Sequence, residues 1–149
     1  MLTKTEKQAI NAPNAVFNGY LNALSKLVQT LLPSGARFDG SAFENFPQSH
    51  KLTADGKIRL VPTAGCTLGH MAVVVNMDDH YILLAGDASY CEKDMLVGNI
   101  DGVCMDGTLH QQSTARMREL CQHKPTITQS AHDEKSGYLL ENRIFTVMG

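Results

Sequence analysis

Three residues with different donor chemistry stand in similar local settings along this chain. Cys66 lies in Val61-Pro62-Thr63-Ala64-Gly65-Cys66-Thr67-Leu68-Gly69-His70, Asp87 in Gly86-Asp87-Ala88-Ser89-Tyr90, and His132 in Ser130-Ala131-His132-Asp133. Each follows a short apolar run and has small residues beside it, the setting of a side chain on a turn just past a strand. Side chains at neighbouring strand ends can converge on one point. Thiolate, carboxylate and imidazole are all zinc ligands, and three of them would leave a position open for water. Spacing alone is weak support, because single Asp and His residues at strand ends more often cap turns or face solvent.

The elements that must position these residues can be read from periodicity. Residues 14–32 form a helix on pattern: Val16, Phe17, Tyr20, Leu21, Leu24, Leu27, Val28 and Leu31 recur at three- and four-residue intervals. Pro13 suits its start and Pro33 its stop. Residues 34–48 are polar, with Phe38, Phe43 and Phe46 as anchors, and read as an ordered loop. Residues 50–53 and 57–61 flank Ala54-Asp55-Gly56, a hairpin signal. Residues 71–77 read as a buried strand turned by Asp78-Asp79 into a second at 80–85. Residues 98–108 form a loop. Residues 109–123 form a helix with Thr108 as N-cap and Ala115, Met117, Leu120 and Cys121 inward. A short strand at 125–130 leads into Ala131-His132-Asp133, and an extended segment at 138–147 closes the chain. The class is mixed α/β in a single domain, 1–149, with an N-terminal helix in 1–33 and a sheet-and-helix core in 34–149.

Bulk properties narrow the functions. The chain has 149 residues, 43% hydrophobic and 19% charged, which suits one globular domain with a core of its own. A net charge of -2 gives no electrostatic footing for nucleic acid or an anionic membrane. The apolar runs are too short to span a bilayer, and the polar start (Thr3-Lys4-Thr5-Glu6-Lys7) lacks the apolar core of a signal peptide. The expected location is cytoplasmic. Cys66, Cys91, Cys104 and Cys121 match no zinc-pair or disulfide spacing, so reduced thiols are expected.

The segment Pro62 through His70 resembles the Thr-Pro-Gly-His-Thr-Pro-Gly-His stretch of metallo-β-lactamase-fold hydrolases, with Cys66 where that family carries a metal-binding histidine. Gly86-Asp87-Ala88-Ser89-Tyr90 resembles the family's next motif, and its Asp-Ala-Ser-Tyr form looks most like the N-acyl-homoserine lactonase branch. Ser130-Ala131-His132-Asp133 resembles the last motif. The resemblance covers residues 38–145 and implies a fold: the C-terminal half of an αββα sandwich, one mixed β-sheet with helices on one face. It also implies roles. Cys66, Asp87 and His132 would be the metal ligands, retained or vestigial. Asp87 and Tyr90 would be the catalytic pair, the tyrosine contacting the lactone and stabilising its oxyanion. His70 and Asp133 would sit behind the ligands, His70 packing under the site and Asp133 orienting His132. Asp101, Asp106 and His110 would border the cleft without a motif to support them.

The same family carries a first metal motif, His-x-His-x-Asp-His, that has no match here; His50, His80, His110 and His123 stand singly. The expectation is therefore a truncated, degenerate form that is not catalytic as an isolated chain, with no cofactor or with zinc. The alternative is a metal-dependent hydrolase of lactones or esters, using a single metal or completed by a partner chain. Half a sandwich also leaves one sheet face open, which implies a homodimer stacked sheet on sheet, with a possible small-molecule ligand in the cleft.

Overall fold

The computed structural model describes residue 38 and residues 40–148, and the helix expected over 14–32 lies outside them. Six strands form one sheet in sequence order: β1 Ser41–Phe43, β2 Phe46–Lys51, β3 Ile58–Pro62, β4 Met71–Asn76, β5 Tyr81–Gly86 and β6 Thr126–Ser130. Neighbours are antiparallel from β1 to β5, and β5 pairs with β6 in parallel. Three helices complete the order: α1 Glu92–Val97 and α2 Gly107–His123 between β5 and β6, and α3 Ser136–Glu141 after β6. A parallel neighbour cannot be reached by a tight turn, and α1 and α2 supply the crossover. The fold is mixed α/β, as the sequence implied.

This topology puts the chemistry on one edge. Strand β4 runs against β3 and β5, so β3, β5 and β6 all point the same way. Their C-terminal ends lead respectively into the loops carrying Cys66, Asp87 and His132.

One face of the sheet carries the core. Phe46, Val61, Ala72, Val74, Tyr81, Leu83 and Ala85 pack with Met95 of α1 and with Met117, Leu120 and Cys121 of α2. The alternate residues of β4 and β5 form the other face, where Val73, Val75 and Ile82 are half-buried and Leu84 is 42% exposed. Burial therefore alternates along strands whose composition is apolar throughout. Among the described residues, helices press along one face.

Several local expectations change. Residues 41–43 and 46–48 are strand rather than loop, so the strand expected from 50 begins at Phe46 and ends at Lys51; Glu44, at φ 49, makes the turn that folds β1 onto β2. The N-cap of α2 is Asp106, not Thr108; its Oδ1 accepts from the Leu109 N–H at 3.0 Å. A carboxylate there also meets the positive end of the helix dipole. Ala115 is only half-buried, and His110, Ser113 and Thr114 take inward positions instead. The last segment is not one extended stretch. It forms α3, then runs irregularly along the free edge of β6, where the Thr146 N–H donates to the Thr126 carbonyl at 2.8 Å. Sequence reading also passed over α1, a short helix closed by Gly98 in the left-handed region. No helix among the described residues is long and apolar enough to cross a membrane.

Candidate functional site

The loop before Cys66 is held from α2. Ser113 Oγ donates to the Ala64 carbonyl at 2.7 Å, and the Met105 and Asp106 N–H groups donate to the Gly65 carbonyl at 3.0 and 3.2 Å. Gly65, at φ +152, lies so close to α2 that a Cβ would fall 2.5 Å from His110 Cα. Glycine is required here for close approach. His70 closes the loop: its Nδ1 pairs with Thr63 Oγ1 at 2.8 Å, and its carbonyl accepts from the Thr63 N–H at 3.0 Å. Its Nε2 faces Gly86, at φ +58, where a Cβ would approach to 3.3 Å. His70 thus packs between the β3–β4 loop and the end of β5.

Asp87 and His132 meet directly. Asp87 Oδ1 lies 3.1 Å from His132 Nε2, and both side chains are about half-exposed or more, at 47% and 61%. The register explains the meeting, since Gly86 and Ser130 are partners at the ends of β5 and β6 and each residue follows within two positions. The Tyr90 ring stands edge-on to the His132 ring, centroids 4.8 Å apart at 64°. Burial pushes the Tyr90 phenol above its ordinary value, and the negative charges of Cys66, Asp101 and Asp87 push it further the same way. The phenol is therefore a proton donor across the neutral range.

Asp133 is placed differently from the role the resemblance gave it. Its Oδ2 accepts from the Glu92 N–H at 3.1 Å and its Oδ1 from the Lys135 N–H at 2.9 Å, so it ties the start of α1 to the loop after β6. Asp101 lies behind the site: its Oδ2 accepts from the Tyr90 N–H at 3.1 Å and lies 3.9 Å from His110 Nε2. A sequence signal for His110 existed. His110, Ser113, Thr114, Met117, Leu120 and Cys121 fall on one helical face at three- and four-residue spacing. The polar identity of the first three hid it.

The donor chemistry suits a metal better than the arrangement does. Among the described residues, no group of three His, Cys, Asp or Glu side chains is gathered so as to hold an ion. Asp87 and His132 converge, but on each other. The described residues are not gathered into a metal centre in this arrangement.

No protein-family model matches the sequence, and no curated protein matches it. Solved structures do. An N-acyl homoserine lactone hydrolase, with N-hexanoyl-L-homoserine product bound at its catalytic metal centre, aligns with a TM-score of 0.65 at 19% identity, over 92% of this chain and 48% of that chain. A mutant of AiiA from B. thuringiensis, with N-decanoyl-L-homoserine bound, aligns with the same TM-score and identity over the same shares. AidC, described as a dizinc quorum-quenching lactonase, aligns with a TM-score of 0.58 at 14% identity, over 85% of this chain and 46% of that chain. The fold is thus that of metallo-β-lactamase-type lactonases. The chain spans about half the length of the structures it matches, in agreement with a C-terminal half.

Proposed function

We propose that this chain has a lactonase-like fold without a self-sufficient metal centre, and that the isolated chain does not hydrolyse lactones or esters. The contact between Asp87 Oδ1 and His132 Nε2 carries this reading. In a site that polarises a carbonyl and lowers the pKa of bound water, ligand lone pairs are aimed at the ion. Here the two best candidate ligands satisfy each other, and the sequence has no His-x-His-x-Asp-His cluster to supply more. The chain would then act through its cleft, as a binding or structural module.

The second reading is a metal-dependent lactone or ester hydrolase, working with a single metal, of which zinc is the candidate, or completed by a partner chain. Tyr90 favours it. A phenol held protonated beside Asp87 and His132 is suited to donate to the oxygen of an ester carbonyl as charge develops there. Metal analysis of protein purified without chelator, run alongside hydrolysis of an N-acyl homoserine lactone, separates the two readings. The first requires metal well below one equivalent and no turnover. Stoichiometric metal, with turnover lost in His132→Ala, would overturn it in favour of the second.

The sheet face that no described helix covers supports a further part of this reading, that two copies stack face to face. Leu84 is exposed at the middle of β5, and its register partner Val73, with Val75 and Ile82, forms an apolar patch around it.

A further inference from the structure

We propose that Asp101, packed beside the buried His110, is a positioning residue for Tyr90. The inference rests on reading Tyr90 as the phenol of the site.

Tyr90 lies in the bend between β5 and α1, where no regular ladder fixes its backbone. Its N–H has a specific acceptor in Asp101 Oδ2 at 3.1 Å. The Asp101 side chain is only 4% exposed, an unusual setting for a carboxylate. Burial pushes its carboxyl up, while the nearby His110 and the Tyr90 N–H oppose that shift. An ionised carboxylate is costly to bury without partners, and this one has the Tyr90 N–H on one side and an imidazole 3.9 Å away on the other.

His110 is in turn fixed. It is 1% exposed, and its Nε2 lies 3.2 Å from the Asn99 carbonyl oxygen. A carbonyl can only accept, so Nε2 carries the proton and the imidazole presents its N–H edge toward Asn99 and Asp101. The backbone of the same residue is the surface on which Gly65 rests, one position before Cys66. A single residue of α2 therefore touches the loop before Cys66 and stands 3.9 Å from the carboxylate that accepts the Tyr90 N–H. Both loops are thus braced from behind, on α2.

Nuclear magnetic resonance on the full chain, with no metal or substrate added, tests this. In the wild type, the Tyr90 amide is expected to exchange about tenfold more slowly than an amide open to solvent. A cross-relaxation peak should also join the Tyr90 and His132 rings. Asp101→Asn keeps an acceptor oxygen and is expected to retain both signals. Asp101→Ala removes the acceptor and is expected to lose the protection and weaken the ring contact, while the amides of β3 and β4 keep wild-type protection. An unprotected Tyr90 amide in the wild type would overturn the proposal without any variant. So would a folded Asp101→Ala with unchanged protection and ring contact, or a folded Asp101→Asn that loses both as fully as Asp101→Ala. Neither readout involves turnover or metal, so the outcome stands apart from whether the chain hydrolyses anything.

Discussion

Asp87 Oδ1 and His132 Nε2 lie 3.1 Å apart across the ends of two parallel strands. The contact joins loops far apart in sequence, and it occupies one potential donor atom of each side chain. Both side chains reach solvent, so the pair is screened and each partner can hydrate if the other is removed. Its consequence for chemistry is therefore larger than its consequence for stability.

Removing His132 should leave the fold almost untouched. His132→Ala is expected to change unfolding free energy by no more than about 0.5 kcal/mol in a urea titration, as for an exposed ion pair. Dialysis of the wild type against a strong chelator should leave the thermal midpoint unchanged, because a bound ion would stabilise the native state by mass action. A clear drop in the midpoint after chelation would show that a metal is held.

Gly65 should tolerate no side chain. A Cβ would sit 2.5 Å from His110 Cα and 2.9 Å from its N, both backbone atoms of a helix that cannot retreat without disturbing Met117 and Leu120. Gly65→Ala is expected to cost about 1–3 kcal/mol, the range of an overpacked site, measured by chemical denaturation. Gly137→Ala is the control, because nothing lies within 4 Å of a Cβ built there. Equal costs at the two positions would refute the close approach at Gly65.

Much of the sheet was legible in the sequence for a physical reason. β3, β4 and β5 are runs of β-branched and aliphatic residues broken by Asp-Gly and Asp-Asp, so burial and turn chemistry agree. The motif loops were legible too, since glycines and small residues mark places where backbones approach closely. What failed was local and polar. β1 and β2 carry Ser41, Gln48 and Lys51, all exposed, and a buried Ser49, so these strands do not look apolar in sequence. Thr108 was a plausible cap, but Asp106 takes the role. Tyr138, Leu139 and Leu140 read as extended yet form about one turn and a half of helix beside β6, with none of its residues buried; leucine and glutamate suit a helix and no apolar periodicity marks so short a one. The pairings at the site, Asp87 with His132 and Asp101 with Tyr90, depend on distances that spacing in sequence does not encode.

Stability should fall in alkali, and Tyr81 should account for part of the fall. Its hydroxyl donates to Glu44 Oε1 at 2.6 Å, and burial, followed by that carboxylate, pushes the phenol well above its ordinary value of 10.0. The folded state therefore keeps this proton at pH values where the unfolded chain releases it. Stability from this group is fully present below about pH 10 and declines as pH rises further, because the native state then binds more protons than the unfolded one. Tyr81→Phe should lessen the slope of unfolding free energy against pH above 10 and leave the slope between pH 7 and 9 unchanged. Identical slopes for the two proteins above pH 10 would contradict the buried phenol.

The sheet face left uncovered by the described helices yields the last expectation. Leu84 is 42% exposed in a central strand, with Val73 as its register partner and Ile82 paired to Val75 next to it. A twofold stack would set these residues against their own copies, and a stable interface of that kind covers roughly 800 Å² on each partner. Light scattering coupled to size exclusion at micromolar concentration should then report twice the mass of the chain. Leu84→Lys places two like charges at this centre, one ammonium from each copy, facing each other across an apolar layer. The variant is expected to be monomeric and still folded, because a lysine at a half-open position can carry its charge to water. A wild-type monomer across the concentration range would refute the stacked dimer, and a Leu84→Lys protein that remains dimeric would place the interface elsewhere.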